Sequence, residues 1–372
     1  MMCLLRKYRV IWYTVVLLGA VLVCVLAKAV AEETLALQTR RLASLFSPRE
    51  YDQPPEWSGE AEEPLFGFAW VSDFHLNRKN REFIAAALDY IDTELAPDFV
   101  VVTGDNCAFA GEDGFRLDGE STAAARQRFM KTLLEEHLDR PFYVIPGDNW
   151  PWVFDEVFRP KQYSFDYGGM HFAFLSIDRG CKGMRLEGLT VFEDATLDWL
   201  REDLANNKDK PGLLLMHEPI YPPTFLDADR VLKILDDAPQ VIACLHGHLH
   251  VDMEVEKNGR RFLICPALGR TDPPGMKLAK VFQDRIVLRT LEYDAATGEF
   301  RFTRKWQRVA IPAPFQAAMH KPAGHDGKGR NFSAVPAKPF VSDSRLCKRL
   351  PELLARLHAF VFRDWPEKVS EK

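Results

Sequence analysis

Short apolar runs that end in polar turns recur along the first half of the chain. Residues 66–71, 99–102 and 142–145 are such runs, and a turn containing aspartate follows each of them. Apolar runs bounded by Gly, Pro, Ser and Asp are typical of buried strands. Residues 82–95 and 122–138, which lie between these runs, show helical periodicity. The order strand, helix, strand, helix, strand predicts an α/β fold with largely parallel pairing.

A second batch of strands follows. Two predicted hairpins surround Gly168-Gly169 and Asn258-Gly259, and the second of these is a strong hairpin signal. The other predicted elements are helices at 193–205 and 227–236 and strands at 213–216, 241–245 and within 280–308. Strands in two batches predict two facing sheets of mixed pairing with helices outside, in one domain over residues 63–309.

The N-terminus has the pattern of an export segment. Three basic residues precede an uncharged, mostly apolar stretch over residues 10–26, and small residues then precede Glu32. This pattern predicts that residues 1–31 are either a cleaved signal peptide or a retained membrane anchor. Positive charge ahead of the apolar stretch sends the rest of the chain across the membrane. We therefore expect an exported domain that is periplasmic, secreted or tethered through residues 10–26.

Two further segments flank the predicted domain. Residues 32–62 are acidic, contain Pro54-Pro55 and are predicted to be a linker. Residues 310–372 are predicted to form a C-terminal extension. Its part from 311 to 344 is rich in Pro, Gly, Ala and Lys, which indicates coil, and an amphipathic helix is predicted near 346–360.

Composition and charge narrow the class of protein. The chain has 372 residues, of which 47% are apolar and 27% charged, so it is a globular protein with a sizeable core. Beyond residue 31 it has 44 basic and 53 acidic residues, which argues against general nucleic-acid binding. Seven cysteines without close spacing predict neither a disulfide framework nor a zinc site of the CxxC type.

Five polar turns carry the candidate chemistry, because each follows a strand-type run. They are Asp73-Phe74-His75, Gly104-Asp105-Asn106, Gly147-Asp148-Asn149, Met216-His217-Glu218-Pro219 and Gly247-His248-Leu249-His250. Loops at the C-terminal ends of strands in an α/β sheet converge on one crevice. Three carboxylates and four imidazoles are therefore expected to meet, and two divalent ions that share one carboxylate would satisfy them.

The donor set indicates both the metal ions and the reaction. Oxygen and nitrogen ligands without a thiolate suit manganese, iron or zinc. Two such ions ~3.5–4 Å apart hydrolyse phosphate esters by in-line attack of a metal-activated hydroxide. Each turn by itself also has an ordinary interpretation as loop chemistry. Their joint occurrence favours a metal site and phosphoester hydrolysis.

The five turns in this order resemble the calcineurin-like metallophosphoesterase family. The resemblance extends to Tyr163-Ser164-Phe165-Asp166-Tyr167-Gly168 and Leu197-Asp198-Trp199-Leu200, and it covers about residues 66–268. It implies a four-layer α/β/β/α sandwich. It also implies that one metal ion is held by Asp73, His75, Asp105 and His250, and the other by Asp105, Asp148, His217 and His248, with Asp105 bridging.

The chain departs from the family pattern at Gly147-Asp148-Asn149-Trp150. Family members usually have Gly-Asn-His followed by an acid, in which the Asn ligates metal and the His binds phosphate and protonates the leaving group. Asp148 can still ligate, but Asn149 can only hydrogen-bond a phosphate oxygen and cannot deliver a proton. General acid assistance is typically worth ~10²- to 10⁴-fold, so its loss favours good leaving groups or requires a substitute.

His246 is the candidate substitute for this proton donor, and its alternative role is that of a structural residue at a strand end. Asn106, Asn149 and Arg78 are candidate contacts to the phosphate, with loop stabilisation as the alternative. Asn149 thus has both a predicted catalytic and a predicted substrate-binding role.

The predicted function is that of an exported hydrolase with two divalent metal ions, which cleaves phosphate mono- or diesters. The substrate is a phosphorylated small molecule or lipid, and no nucleic-acid partner is expected. The alternative is a degenerate protein of the same fold that binds a phosphorylated ligand without turnover, because the usual His is missing after Gly147-Asp148.

Overall fold

The structure is a computed structural model of the chain, and it describes most residues between positions 62 and 349. The described residues are 47–48, 50, 62–107, 123–148, 154–158, 160–180, 189–324, 330–335, 341–349, 351–352 and 355. The chain divides into units of residues 1–47 and 48–372, and the described residues belong almost entirely to the second. The predicted export segment and nearly all of the predicted linker lie outside them. Among the described helices, none combines the length and apolar content needed to cross a bilayer.

The strands and helices of the described residues follow the predicted order. In chain order, the strands are β1 (Phe66–Val71), β2 (Phe99–Val102), β3 (Phe142–Val144), β4 (Tyr163–Tyr167), β5 (Met170–Leu175), β6 (Arg179–Gly180), β7 (Thr190–Val191), β8 (Gly212–Met216), β9 (Val241–His246), β10 (Met253–Lys257), β11 (Arg260–Ile264), β12 (Gly275–Val281), β13 (Arg285–Asp294), β14 (Glu299–Ala310), β15 (Arg330–Ala334) and β16 (Val341–Ser342). The helices are α1 (Arg81–Tyr90), which continues in a π-helical turn (Ile91–Leu95), α2 (Ala123–His137), α3 (Phe154–Val157), α4 (Asp194–Asn206), α5 (Ala228–Asp236) and α6 (Ala313–Gln316).

Two large sheets contain both parallel and antiparallel pairs. The first has the order β14-β13-β12-β1-β2-β3, in which β1, β2 and β3 are parallel and the other pairs antiparallel. The second has the order β10-β11-β9-β8-β5-β4-β15, with a parallel centre from β5 to β11. A small third sheet joins β16, β6 and β7. The prediction of two mixed sheets in an α/β fold is confirmed.

Alternation along the strands decides which side chains face which layer. In β1, Phe68 and Trp70 belong to the cluster between the two sheets, whereas Ala69 and Val71 belong to the cluster that includes α1 and α2. The inner cluster contains aromatic rings from both sheets, such as Phe68 and Phe172 with centroids 5.8 Å apart. The facing sheets are therefore joined by a largely aromatic core, and α1 and α2 cover the outer face of the first sheet.

A buried histidine network joins α4 to the outer face of the second sheet. Nδ1 of His171 is 2.7 Å from Asp166 Oδ1, and its Nε2 is 2.8 Å from Asp203 Oδ2. Ser164 Oγ donates to Asp203 at 2.7 Å, and Lys210 Nζ donates to Asp166 at 2.5 Å. Burial alone would lower the pKa of His171, but the two carboxylates raise it above its usual value. The network therefore holds a charged imidazolium between β5 and α4.

Replacing His171 by glutamine should remove a pH-dependent part of the stability. Because the pKa of His171 is raised in the folded state, its stabilisation is complete below the unfolded value of about 6.5 and is lost as the pH rises through the folded value. We expect the free energy of unfolding of His171→Gln to lie ~1–3 kcal/mol below that of the wild type under mildly acidic conditions. The difference should shrink at alkaline pH.

Urea unfolding of both proteins across this pH range measures the effect. The matched control is His137→Gln, because Nδ1 of His137 bonds Asp89 at 2.7 Å in a pair that is partly exposed. Exposed pairs of this kind contribute little to stability, so the control should follow the wild type. A deficit of His171→Gln that stays constant with pH would contradict the prediction.

The C-terminal part of the chain contains more regular structure than its composition predicts. Helix α6 and strands β15 and β16 lie within residues 311–344, where the sequence predicts coil. Strand β15 pairs antiparallel with β4 and forms one edge of the second sheet. The coil prediction is wrong over these strands, because pairing with an open sheet edge uses backbone groups and needs no apolar alternation. Where the sequence predicts the final helix, at 346–360, Ser344–Arg349 form a 3₁₀ helix, and most of the predicted helix beyond 349 lies outside the described residues.

Candidate metal centre

All seven candidate ligands lie beyond the C-terminal ends of strands, and they come from both sheets. Loops after β1, β2 and β3 carry the three aspartates and His75, and loops after β8 and β9 carry the other three histidines. Their ligand atoms form three overlapping groups, and within each group they lie within 4.8 Å of one another. The groups are Asp73, His75 and His250; Asp148, His217 and His248; and Asp73, Asp105 and His217. The structure therefore brings together every side chain that the sequence predicts to ligate metal.

Most of these residues have an uncommon backbone conformation. The φ angle is 54° at Asp73, 41° at His75, 51° at Asp105, 71° at His248 and 56° at His250. The left-handed region costs a non-glycine residue ~1–2 kcal/mol, and such strain is concentrated at functional sites. Hydrogen bonds fix the strained loops to one another, since the N–H of His75 donates to Asp105 O at 2.9 Å. Five strained positions in one cluster indicate a site built for chemistry.

Two glycines allow these loops to approach closely. A Cβ atom on Gly147, where φ is 76°, would lie 2.2 Å from the backbone N of Asp105. A Cβ atom on Gly247 would lie 1.9 Å from Ser72 Oγ and 2.5 Å from Asp73 Oδ2. Both distances are far shorter than van der Waals contact, so no side chain fits at either position. The glycines that precede Asp148 and His248 are thus required by loop packing.

The first group is a tight arrangement of two imidazoles and a carboxylate. Nε2 of His75 is 3.1 Å from Nε2 of His250, and Nε2 of His250 is 3.1 Å from Asp73 Oδ1. The second oxygen of Asp73 accepts a hydrogen bond from the N–H of His248 at 3.0 Å. Asp73 therefore points one oxygen at the histidine pair and uses the other to fix the turn that carries His248.

The second group is arranged around His217. Its Nε2 is 3.6 Å from Asp148 Oδ1 and 3.3 Å from Asp105 Oδ1, and Nδ1 of His248 is 3.7 Å from Asp148 Oδ2. The other oxygen of Asp105 is 3.6 Å from Nε2 of His75, which belongs to the first group. Asp105 thus presents one carboxylate oxygen to each group.

Buried polar atoms at the centre fit divalent cations. Nδ1 of His217 donates to the backbone oxygen of Thr103 at 2.8 Å, which directs Nε2 into the cluster. Nε2 of His217 and Oδ1 of Asp73 are buried, and their contacts with Asp105 and His250 at 3.3 and 3.1 Å lack hydrogen-bond geometry among the described residues. Buried polar atoms require a partner. Because these atoms belong to imidazoles and carboxylates, divalent metal ions are suitable partners for them.

The electrostatics of the cluster reflect three crowded carboxylates. Burial, followed by the negative charge of Asp148, raises the pKa of Asp105 to about 7. Burial would also raise the pKa of Asp73, but His250 and His217 hold it well below its usual value. Burial would lower the pKa of His217, yet Asp105 and Asp73 raise it well above its usual range. The charges of these groups are therefore mutually dependent, and positive charge at the centre stabilises the ionised carboxylates.

The predicted phosphate contacts lie in different surroundings. Asn106 is fully buried and donates from Nδ2 to Ile145 O at 3.0 Å, which favours loop stabilisation, and its contact with phosphate stays a prediction. Arg78 is exposed in the turn after His75, and its contact with phosphate stays a prediction. Asn149 lies outside the described residues, so both of its predicted roles stay untested.

His246 occupies a position that does not suit a proton donor. It is the last residue of β9, its side chain is fully buried, and Nδ1 donates to Met216 O at 3.1 Å. Burial, with smaller contributions from neighbouring groups, lowers its pKa to about 3. A buried neutral imidazole favours the structural alternative, and His246 supports the strand that leads to His248 and His250.

Two asparagines brace the first loop, and the sequence prediction did not assign them this role. Nδ2 of Asn77 donates to His75 O at 3.0 Å, and Nδ2 of Asn80 donates to Phe74 O at 3.1 Å. Each asparagine also accepts the backbone N–H of the other. A pair of asparagines three positions apart, directly after an Asp-x-His turn, is the sequence signal that indicates this bracing.

Comparison with known proteins agrees with this geometry. Residues 66–252 match a family model described as calcineurin-like phosphoesterase, a span that includes every candidate ligand. The 3′,5′-cyclic adenosine monophosphate phosphodiesterase CpdA of Escherichia coli (strain K12) is 27% identical over 189 residues, which cover 46% of this chain and 60% of the relative. The phosphodiesterase of the same name from Haemophilus influenzae is 23% identical over 230 residues, which cover 56% of this chain and 78% of the relative.

A solved structure supports the fold. A dimetal phosphatase from Danio rerio superposes with a TM-score of 0.54 at 13% identity, and the match covers 67% of this chain and 100% of that one. At 13% identity this likeness establishes the fold only, and any argument about chemistry must come from the residues of the site. The chain spans less than two thirds of the length of the Escherichia coli relative, at 60%.

Proposed function

Because the chain belongs to the calcineurin-like phosphoesterase family, we propose that it is a phosphoric ester hydrolase that works with two divalent metal ions. The observation that carries this proposal is the position of Asp105. Its Oδ2 is 3.6 Å from Nε2 of His75, and its Oδ1 is 3.3 Å from Nε2 of His217. A carboxylate with one oxygen toward each group of ligands has the arrangement that a bridging ligand needs.

The ligands divide into two sets that share Asp105. One set is Asp73, His75, Asp105 and His250, and the other is Asp105, Asp148, His217 and His248. When bound, the two cations supply an activated hydroxide and positive charge for the phosphoryl oxygens. The chain itself orients the ligands, because the Thr103 carbonyl fixes the tautomer of His217 and Asp73 fixes the turn at His248. Manganese, iron and zinc are the ions that suit a donor set without sulfur.

We propose a phosphodiester as the substrate, with a cyclic nucleotide as the first compound to test. The support is the name of the two relatives, which are cyclic adenosine monophosphate phosphodiesterases. Phosphomonoesters and phosphorylated lipids are the alternatives. The replacement of the family histidine by Asn149 argues against a cyclic nucleotide, whose ribose leaving group needs a proton, and favours diesters with a good leaving group.

Metal loading combined with turnover tests the proposal. The purified full-length chain is stripped with a chelator and reloaded with Mn²⁺ or Zn²⁺. We expect about two equivalents of metal per chain and metal-dependent hydrolysis of bis(p-nitrophenyl) phosphate. A parallel assay with p-nitrophenyl phosphate, a monoester, distinguishes monoesterase from diesterase activity. A parallel assay with 3′,5′-cyclic AMP, a diester with a poor leaving group, shows whether a good leaving group is required. A chain that retains no metal, or that hydrolyses none of the three when loaded, would contradict the proposal.

A second candidate function is the binding of a phosphorylated ligand without turnover. The observation in its favour is the sequence Gly147-Asp148-Asn149-Trp150, which lacks the usual proton-donating histidine. Two bound metal ions, tight binding of inorganic phosphate and no hydrolysis of either aryl ester would establish this function instead. Export across a membrane, either free or tethered through residues 10–26, is part of the proposal for both candidates.

A further inference from the structure

The loop that carries His248 and His250 ends at Asp252, and this aspartate is bound by residues of the first sheet. Lys277 Nζ donates to Asp252 Oδ1 at 2.6 Å. Thr290 Oγ1 donates to Asp252 Oδ2 at 2.6 Å. Both carboxylate oxygens of Asp252 therefore have a short hydrogen bond, and both bonds come from strands that belong to the other sheet.

Lys277 lies at the centre of a complete buried network. Its side chain is 0% exposed, and its ammonium also donates to Thr290 Oγ1 at 2.8 Å and Gln307 Oε1 at 3.0 Å. The three N–H groups of a lysine are thereby all used. A buried ammonium is stable only when it is paired and hydrogen-bonded. We call Asp252, Lys277, Thr290 and Gln307 the Lys277 cluster.

The Lys277 cluster connects the two sheets next to the metal centre. On β12, Lys277 is the register partner of Trp70 on β1, and β1 leads into the loop of Asp73. Asp252 belongs instead to the loop after β9 of the second sheet. His250, two positions before Asp252, has its Nε2 3.1 Å from Asp73 Oδ1. The contact between these two ligands therefore joins the same two sheets that the Lys277 cluster joins.

The two sides of this loop are held by different groups. On the N-terminal side, the N–H of Gly247 donates to His217 O and the N–H of His248 donates to Asp73 Oδ2, both at 3.0 Å. On the C-terminal side, Asp252 is held by the Lys277 cluster. His250 lies between them with a φ of 56° and 26% of its side chain exposed. A strained, partly exposed residue keeps its conformation only where its surroundings fix it on both sides.

We infer that Lys277 is a positioning residue for the candidate metal ligand His250. By binding Asp252, Lys277 fixes the C-terminal side of the loop to the first sheet, so that the imidazole of His250 reaches Asp73 and His75. The inference rests on the proposed two-metal function. Because Lys277 acts through Asp252, its removal should weaken metal binding while the fold persists, as is typical of groups that orient metal ligands.

The experiment compares two buried lysines by replacing each with methionine. Lys277→Met removes the positioning contact. Lys161→Met is the matched control, because Lys161 is 1% exposed and its Nζ is 3.1 Å from Asp178 Oδ1, a carboxylate outside the candidate ligand set. Mn²⁺ binding to the chelator-stripped full chain is measured by equilibrium dialysis and by the electron paramagnetic resonance spectrum of the bound ion. Circular dichroism and thermal unfolding report on the fold.

We expect Lys277→Met to bind Mn²⁺ about 10- to 100-fold more weakly than the wild type. Lys161→Met should lose thermal stability and keep wild-type affinity. Thr290→Val, which removes one hydroxyl of the Lys277 cluster, should show a smaller loss of Mn²⁺ affinity. This variant replaces Lys277→Met in the comparison if Lys277→Met does not fold. Wild-type affinity in folded Lys277→Met, or an equal loss of affinity in Lys161→Met, would overturn the inference. A wild-type chain that binds neither Mn²⁺ nor Zn²⁺ would refute the proposed function itself, whatever the behaviour of Lys277→Met.

Discussion

Replacing Asp105 by alanine is expected to lower kcat/KM for phosphodiester hydrolysis by about a thousandfold or more. The reason is that Asp105 presents one oxygen to His75 and the other to His217, at 3.6 and 3.3 Å. Its removal therefore takes a ligand from both metal positions at once. We expect the metal content to fall from about two equivalents to about one or fewer. Elemental analysis of the loaded protein and steady-state kinetics at saturating Mn²⁺ measure the two effects.

Asp203→Asn is the control for the loss of a buried carboxylate. Asp203 is 5% exposed and is bound by His171 and Ser164 on the outer face of the second sheet. This variant should lower the free energy of unfolding and leave metal content and kcat/KM at wild-type values. If Asp105→Ala retained both metal ions, or if its activity fell no further than that of the control, the bridging role of Asp105 would be wrong.

Replacing Gly147 by alanine should lower the stability strongly, although it keeps all candidate ligands. The new Cβ atom would lie 2.2 Å from the backbone N and 2.4 Å from Oδ1 of Asp105, at a φ of 76°. The loops after β2 and β3 must then separate, which displaces Asp105 and Asp148 together. We expect a loss of ~3–5 kcal/mol in the free energy of unfolding and a clear fall in Mn²⁺ affinity.

Gly259→Ala isolates the cost of the backbone conformation alone. Gly259 lies in the hairpin turn between β10 and β11 with a φ of 74°, and a Cβ atom there would meet nothing within 4 Å. It should therefore cost only ~1 kcal/mol, the penalty of a positive φ for alanine. Urea unfolding in chelator compares the two variants without a contribution from bound metal. Equal losses in the two variants would show that the approach of Gly147 to Asp105 is not the cause.

The candidate ligands could be predicted because their turns have strict local requirements. The glycines at 147 and 247 stand where a Cβ atom would collide with Asp105 or Ser72, and Asp and His follow them directly. The collisions themselves involve residues 42 and 175 positions away, but each leaves a local sign in the sequence, which is a glycine directly before a candidate ligand. The alternation of β1 is similar, since Phe68 and Trp70 face one layer while Ala69 and Val71 face the other.

Other features depend on partners that are distant in the sequence. Asn106 directly follows Asp105, and His246 precedes His248 by two positions, yet both side chains are fully buried. Sequence position alone does not distinguish an inward from an outward side chain at a strand end. Lys277 belongs to a strand that begins at Gly275, whereas the sequence predicts further strands only from residue 280. Its role depends on Asp252, which approaches it only in the folded domain.

The wide separation of the ligands along the chain has a consequence for biosynthesis. His75 and His250 are 175 positions apart, and their Nε2 atoms lie 3.1 Å from each other. A nascent chain that has exposed only β1 to β3 carries the three aspartates but none of the histidines after β8 and β9. Contacts of such high sequence separation form late in folding. The centre can therefore assemble only after the chain has been made as far as residue 250, and a translation product that stops earlier lacks the complete set of ligands.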